Sequence, residues 1–114
     1  DGGRGQDFLH CFLKAFAVEL PIYWLIKNSF KRERPRNLPV FITPSDRYSL
    51  PSGHTAAAFL MAEVVSVFYP MMLWCAFIWA GFIGASRLLL GVHYLSDLVA
   101  GACLGLLTAW YVLP

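Results

Sequence analysis

Apolar and polar positions alternate along this chain in long blocks rather than residue by residue. Phe8 to Phe30 is an apolar run broken only by a few polar positions, and it is followed by a polar, proline-punctuated stretch from Lys31 to Pro51. Ser52 to Tyr69 is a second apolar run, Met71 to about Leu90 a third, and a fourth extends to about Leu113. About 20 apolar residues span a bilayer as a helix, so blocks of this length predict a bundle of membrane helices. Pro70 marks a tight turn between the second and third runs, because proline cannot continue the ladder of the helix before it. The four prolines at 35, 39, 44 and 51 exclude a long helix and predict an ordered or partly extended loop. Residues 1–7 are glycine-rich and polar and read as a disordered lead. The rest, 8–114, reads as one all-α, multi-pass domain with about four helices visible, and as a piece of a longer membrane protein.

Finer features follow from the same pattern. Ser96 or Asp97 is placed to cap the fourth helix, where an acid also suits the helix dipole. Gly101 and Gly105 have the small-xxx-small spacing that lets helices approach closely, and Gly81 with Ala85 offers a similar stripe on the third. Lys14, Glu19 and Glu63 are charges inside apolar runs, expected to face other helices or an interface, and Pro21 is a possible kink in the first.

Composition sharpens this picture. The chain has 114 residues, of which 58% are hydrophobic and 14% charged; soluble domains average about 25% charged. Cys11, Cys75 and Cys103 each lie within an apolar run and have no short pairing spacing, so they read as packing residues. Six of the nine basic residues fall between Lys27 and Arg47, against two acids there, Glu33 and Asp46. A small cationic loop on an apolar body suits a phosphate or lipid headgroup and is too small a surface for nucleic acid. Cations flanking a membrane segment also set topology, a role charge alone does not separate from ligand binding.

Three clusters carry the chemistry. Counting segments puts all of them on one membrane face, since the loop after the first helix and the junction of the third and fourth lie on the same side. In the first cluster, Lys27 stands seven residues before Arg34, about two helical turns, with Pro35 next. A lysine point charge and an arginine fork together suit phosphate oxygens. The second is Pro51-Ser52-Gly53-His54 at the start of an apolar helix. Backbone N–H groups there form an anion site, Ser52 adds a hydroxyl, and His54 can give a proton to a leaving oxygen. The third runs from Ser86 to Asp97, where an arginine, a histidine and an aspartate sit at a membrane boundary. His93 and Asp97 are four apart, the spacing of an imidazole oriented by a carboxylate. Arg87 adds a fork, and Gly91 gives the backbone room to turn both toward one point. Zinc held by His54, His93 and Asp97 is a further arrangement, opposed by the cations that would surround it.

In order and spacing the clusters resemble the type 2 phosphatidic acid phosphatase superfamily, whose signature is K-x6-RP, PSGH and SR-x5-H-x3-D. Lys27…Arg34-Pro35, Pro51-Ser52-Gly53-His54 and Ser86-Arg87…His93…Asp97 match at every motif position. The resemblance, over residues from about 20 to 112, implies a helical bundle shared with haloperoxidases and phosphoryl transfer without metal or other cofactor. It implies His93 as nucleophile forming a phosphohistidine, Asp97 as its orienting partner and His54 as proton donor to the leaving group. Lys27, Arg34, Ser52, the Gly53 amide and Arg87 would hold the phosphoryl oxygens. The expected substrate is a lipid phosphate or diphosphate: polyprenyl diphosphate, phosphatidic acid, phosphatidylglycerol phosphate or a lipid A phosphate. Transfer to an alcohol, haloperoxidase chemistry and non-catalytic anion binding are the alternatives; the haloperoxidases are soluble as a rule, which the apolar runs oppose. The resemblance also favours a bacterial inner-membrane protein with its site at the periplasmic face, although the positive-inside rule taken alone points the basic loop to the cytoplasm. Oligomeric state is left open.

Overall fold

A computed structural model describes residues 3–33, 48–91 and 93–113. Four α-helices follow one another: α1 (Gly3–Phe30), α2 (Gly53–Phe68), α3 (Leu73–Leu89) and α4 (Leu95–Val112), with a 3₁₀ turn at Pro70–Met72 leading into α3. Among the described residues there is no strand, only an isolated antiparallel bridge between Glu33 and Tyr48.

The first helix begins earlier than the glycine content of its start suggests. Residues 3–7, expected as a disordered lead, are helical. The reason is tertiary: the Arg4 guanidinium lies over the Tyr69 ring at 5.7 Å, and Phe8 packs edge-on against Phe68 and Tyr69. These contacts tie the start of α1 to the end of α2 and make the two antiparallel. The helix continues through Pro21 and stops after Phe30, where Lys31 takes φ 50°. A left-handed residue just past the last turn is the usual helix stop.

The second helix is the centre of the bundle. It packs against α4 and α3 and touches α1. Leu60 and Val64 are buried with Cys11, Ala15 and Ala109, while Ala58 and Ala62 are buried with Ala80 of α3. At 16 residues α2 is shorter than the three helices long and apolar enough to cross a membrane, which are α1, the Pro70–Leu89 stretch and α4. Four apolar runs thus become three helices of membrane-spanning length around a shorter central one.

Glycine sets the closest approach. A Cβ on Gly105 would stand 2.2 Å from the Ala56 carbonyl oxygen, and one on Gly101 would stand 2.5 Å from that of Ser52. The expected Gly101–Gly105 stripe is therefore the contact face of α4 with α2. On α3 the expected stripe is displaced by one residue. Gly81 has nothing within 4 Å and Ala85 is exposed, whereas Ala80 and Gly84 are buried, Gly84 against Thr55. One residue is about 100° around a helix, so sequence spacing alone does not choose between adjacent stripes.

The remaining apolar surface points outward. Trp24, Trp74, Phe82, Leu89, Trp110 and Tyr111 are among the exposed large side chains. Exposed apolar area on this scale has a lipid as its solvent, so the chain is an integral membrane protein. Cys75 and Cys103 belong to this outer surface rather than to the packing, and only Cys11 is buried.

Gly105→Ala is expected to force α2 and α4 apart and destabilise the bundle by about 1–3 kcal/mol, as overpacking does. Gly81→Ala, with open space around it, should leave stability unchanged. Thermal unfolding in detergent micelles, read by near-ultraviolet circular dichroism, compares the two.

Candidate active site

The antiparallel order brings four helix ends together: the C-termini of α1 and α3 and the N-termini of α2 and α4. Each carries a predicted residue. Lys27 is buried in the last turn of α1, its Nζ 4.6 Å from the centre of the Tyr23 ring. A Cβ on Gly53 would meet that same ring at about 3.1 Å, so the Tyr23 ring stands between Lys27 and the start of α2. Arg34 and Pro35, the second half of the first motif, lie outside the described residues. The two ends of the segment that carries them are joined by the Glu33–Tyr48 bridge and by Ser49 N–H donating to the Arg32 carbonyl at 2.7 Å.

Ser52 is the N-cap of α2 and is fully buried. Its Oγ accepts from the Thr55 N–H at 3.4 Å and donates to Thr55 Oγ1 at 2.8 Å. Gly53 and His54 are the first two residues of the helix, where the N–H groups have no intrahelical acceptor. His54 is exposed. The Ser52 N–H donates to the Asp97 carbonyl at 3.1 Å. That one hydrogen bond joins the second motif to the third.

Arg87 occupies the last turn of α3, half-buried, one turn beyond the contact between Gly84 and Thr55. Gly91 follows with φ 80°, a conformation only glycine adopts without strain. The turn it makes returns the chain into α4 and leaves His93 buried. The cap of α4 differs from expectation. Tyr94 is the N-cap, and Asp97 is the third residue of the helix, not its cap. The Tyr94 N–H donates to Asp97 Oδ2 at 2.7 Å, so the carboxylate reaches back over the first turn. Tyr94 itself is extended, with φ −82° and ψ 160°, and this places the helix start two residues earlier than the polar side chains suggest.

Asp97 is fully buried and holds the cluster together. Its Oδ2 also faces His93 Nδ1 at 3.6 Å, longer than a hydrogen bond but the right pair of atoms for orienting an imidazole. Its Oδ1 accepts from Arg32 at 3.0 Å, and Arg32 also donates to Ser96 Oγ. Arg32 was not among the residues the motifs singled out. Its only sequence signal is membership of the basic run, which holds five other cations. His54, His93 and Asp97 do not form a metal-ligating group: among the described residues no three histidine, cysteine, aspartate or glutamate side chains gather in that way.

The model of the PAP2 superfamily matches residues 8–114. The chain belongs to the PAP2 superfamily. Among PAP2 relatives it is 39% identical over 109 residues to the decaprenylphosphoryl-5-phosphoribose phosphatase of Mycobacterium tuberculosis, covering 90% of this chain and 57% of that protein. It is 30% identical to phosphatidylglycerophosphatase B of Bacillus subtilis, over 88% of this chain and 54% of the relative. The chain thus spans little more than half the length of these relatives. Two solved PAP2 structures share its fold. Aquifex aeolicus LpxE matches with a TM-score of 0.85 at 26% identity, covering 94% of this chain and 67% of that one. The transmembrane PAP2-type phosphatidylglycerolphosphate phosphatase of B. subtilis matches with 0.69 at 28%, covering 89% and 55%.

Asp97→Ala removes the acceptor of both the Tyr94 N–H and Arg32, and is expected to destabilise the fold by about 1–3 kcal/mol. Asp97→Asn keeps one oxygen for the Tyr94 N–H and should cost less than half as much. Denaturant unfolding of the two variants in the same micelle measures the difference.

Proposed function

We propose that this chain forms the phosphoryl-transfer centre of an integral-membrane PAP2 phosphatase acting on a lipid phosphate or diphosphate. The observation that carries the reading is the Ser52 N–H to Asp97 C=O hydrogen bond. It sets the amide-rich start of α2 beside the buried His93–Asp97 pair, at one end of an apolar bundle. The likeness to a decaprenylphosphoryl-5-phosphoribose phosphatase and to phosphatidylglycerophosphatase B supports the same class.

The chemistry assigns each residue a step. His93 Nδ1 faces the carboxylate, which assigns the attack to Nε2. An N–P bond forms as the P–O bond to the leaving group breaks, and His54 donates a proton to the departing oxygen. Asp97 stabilises the imidazolium character that develops on His93, without itself taking the proton. His54, now a base, removes a proton from water as the water oxygen attacks phosphorus. Inorganic phosphate leaves and His93 is restored. Charge on the three equatorial oxygens is offset by Lys27, Arg34 and Arg87, and by the Ser52 hydroxyl and the Gly53 amide. These cations take the part that a metal takes elsewhere, so the reaction is proposed to need none.

The fold also supplies room for a lipid chain. An apolar groove of about 650 Å³ runs between α1 and α4, lined by Val18, Ile22, Ile26, Ala100, Leu107 and Tyr111 among others. Ile26 adjoins Lys27, and Ala100 is one turn past Asp97. A headgroup at His93 with its chain in this groove would never leave the membrane boundary.

The protein in micelles is expected to release inorganic phosphate from a polyprenyl diphosphate or phosphatidic acid in the presence of EDTA. His93→Ala should abolish release, and His54→Ala should slow it about 10²- to 10⁴-fold. Full activity in His93→Ala would exclude the phosphohistidine route, and mass spectrometry of the products distinguishes water from an alcohol as acceptor.

We further propose that the site faces the periplasm of a bacterial inner membrane. The cations that would otherwise argue for a cytoplasmic loop are accounted for as phosphate ligands. A single cysteine at exposed Ser96, in a background lacking the three native cysteines, should react with a membrane-impermeant maleimide in intact spheroplasts. Labelling only after lysis would reverse the assignment.

A further inference from the structure

The proposed phosphoryl transfer gives no part to Arg32, a described cation at the site. Arg32 reaches from the segment after α1 to the start of α4. There it donates to Asp97 Oδ1 at 3.0 Å and to Ser96 Oγ, with its guanidinium carbon 5.5 Å from the Tyr94 ring centre. Its backbone is held as well, since its carbonyl accepts the Ser49 N–H at 2.7 Å and Glu33 next to it bridges to Tyr48. The side chain of Asp97 is fully buried, while that of Arg32 is 39% exposed.

The two oxygens of Asp97 are therefore divided. Oδ1 is bound by Arg32, and Oδ2 takes the Tyr94 N–H at 2.7 Å and faces His93. A carboxylate anchored at one oxygen only can rotate about its Cβ–Cγ bond; anchored at both, its plane is set. We propose that Arg32 is the positioning residue of the His93–Asp97 pair: by holding Oδ1 it aims Oδ2 at Nδ1 and so fixes the tautomer that presents Nε2 for attack. This assignment rests on the reading of His93 as a nucleophile oriented by Asp97. In this role Arg32 acts through Asp97, the carboxylate its Nη1 binds at the start of α4.

The test uses the whole chain in micelles with a polyprenyl diphosphate as substrate, and a spectroscopic measurement that needs no turnover. Arg32→Ala is expected to lower kcat about tenfold, the scale of one charge-assisted hydrogen bond, with KM changed by less than about twofold. Arg32→Lys, which restores a charged donor on a shorter side chain, should recover part of the loss. Combining Arg32→Ala with Asp97→Asn should be no slower than Asp97→Asn alone. In ¹⁵N-histidine spectra, with the His93 signals assigned through His93→Gln, Arg32→Ala should move the ring nitrogens away from a single Nδ1–H tautomer, in the same sense as Asp97→Asn. A raised KM with unchanged kcat, factors that multiply in the double variant, or unmoved His93 signals would each overturn the proposal. Absence of phosphate release by the unmodified chain would instead refute the phosphatase reading, and the His93 spectra would still decide what Arg32 does.

Discussion

The α2–α4 seam is the constraint on which the site depends. It exists because Gly101 and Gly105 carry no side chain where α4 meets the backbone of α2: a Cβ at either would stand 2.5 Å or 2.2 Å from a carbonyl oxygen. Only at that separation can the Ser52 N–H reach the Asp97 carbonyl, at 3.1 Å. Within lipid there is little hydrophobic force to press helices together, so close packing and interhelical polar contacts do the work. The seam supplies both, and the helix N-termini that hold the chemistry are positioned by it.

Burying a carboxylate at such a seam is costly unless every oxygen is satisfied. Asp97 meets this condition with a guanidinium on Oδ1 and the Tyr94 N–H on Oδ2. The arrangement couples stability to function in one side chain: the group that reaches back to the Tyr94 N–H over the first turn of α4 is the one proposed to orient His93. Deeper in the bundle Glu19 is buried beside Thr108, whose hydroxyl lies 3.5 Å from Oε2 and so links α1 to α4. An acid in a membrane helix, expected from sequence to face another helix, does so.

Much of this was legible in the chain itself. Block hydropathy located four helices within a few residues, because runs of 16 to 28 apolar-rich residues leave the backbone no economical alternative in lipid. Of the motif residues, Lys27, Ser52, Gly53, His54, Arg87, His93 and Asp97 are described and lie at one end of the bundle, since antiparallel helices return the chain to the same face. Where expectation and structure differ, the missing information was long-range. Residues 3–7 are helical because Arg4 and Phe8 find Tyr69 and Phe68, about 60 positions away. The α3 stripe is Ala80–Gly84, not Gly81–Ala85, because the azimuth of a helix is chosen by its neighbour.

The sequence by itself determined the class of fold, the family and the identities of the motif residues, because hydropathy period and motif spacing are local properties of the chain. Tertiary structure alone decided that α2 is the short buried centre, that Tyr94 caps α4 while Asp97 reaches back over it, and that Arg32 joins Asp97 across 65 positions. One cation among six in a basic run has no local mark. Which of them meets a buried carboxylate depends on where the chain closes, and that is settled only when the helices pack.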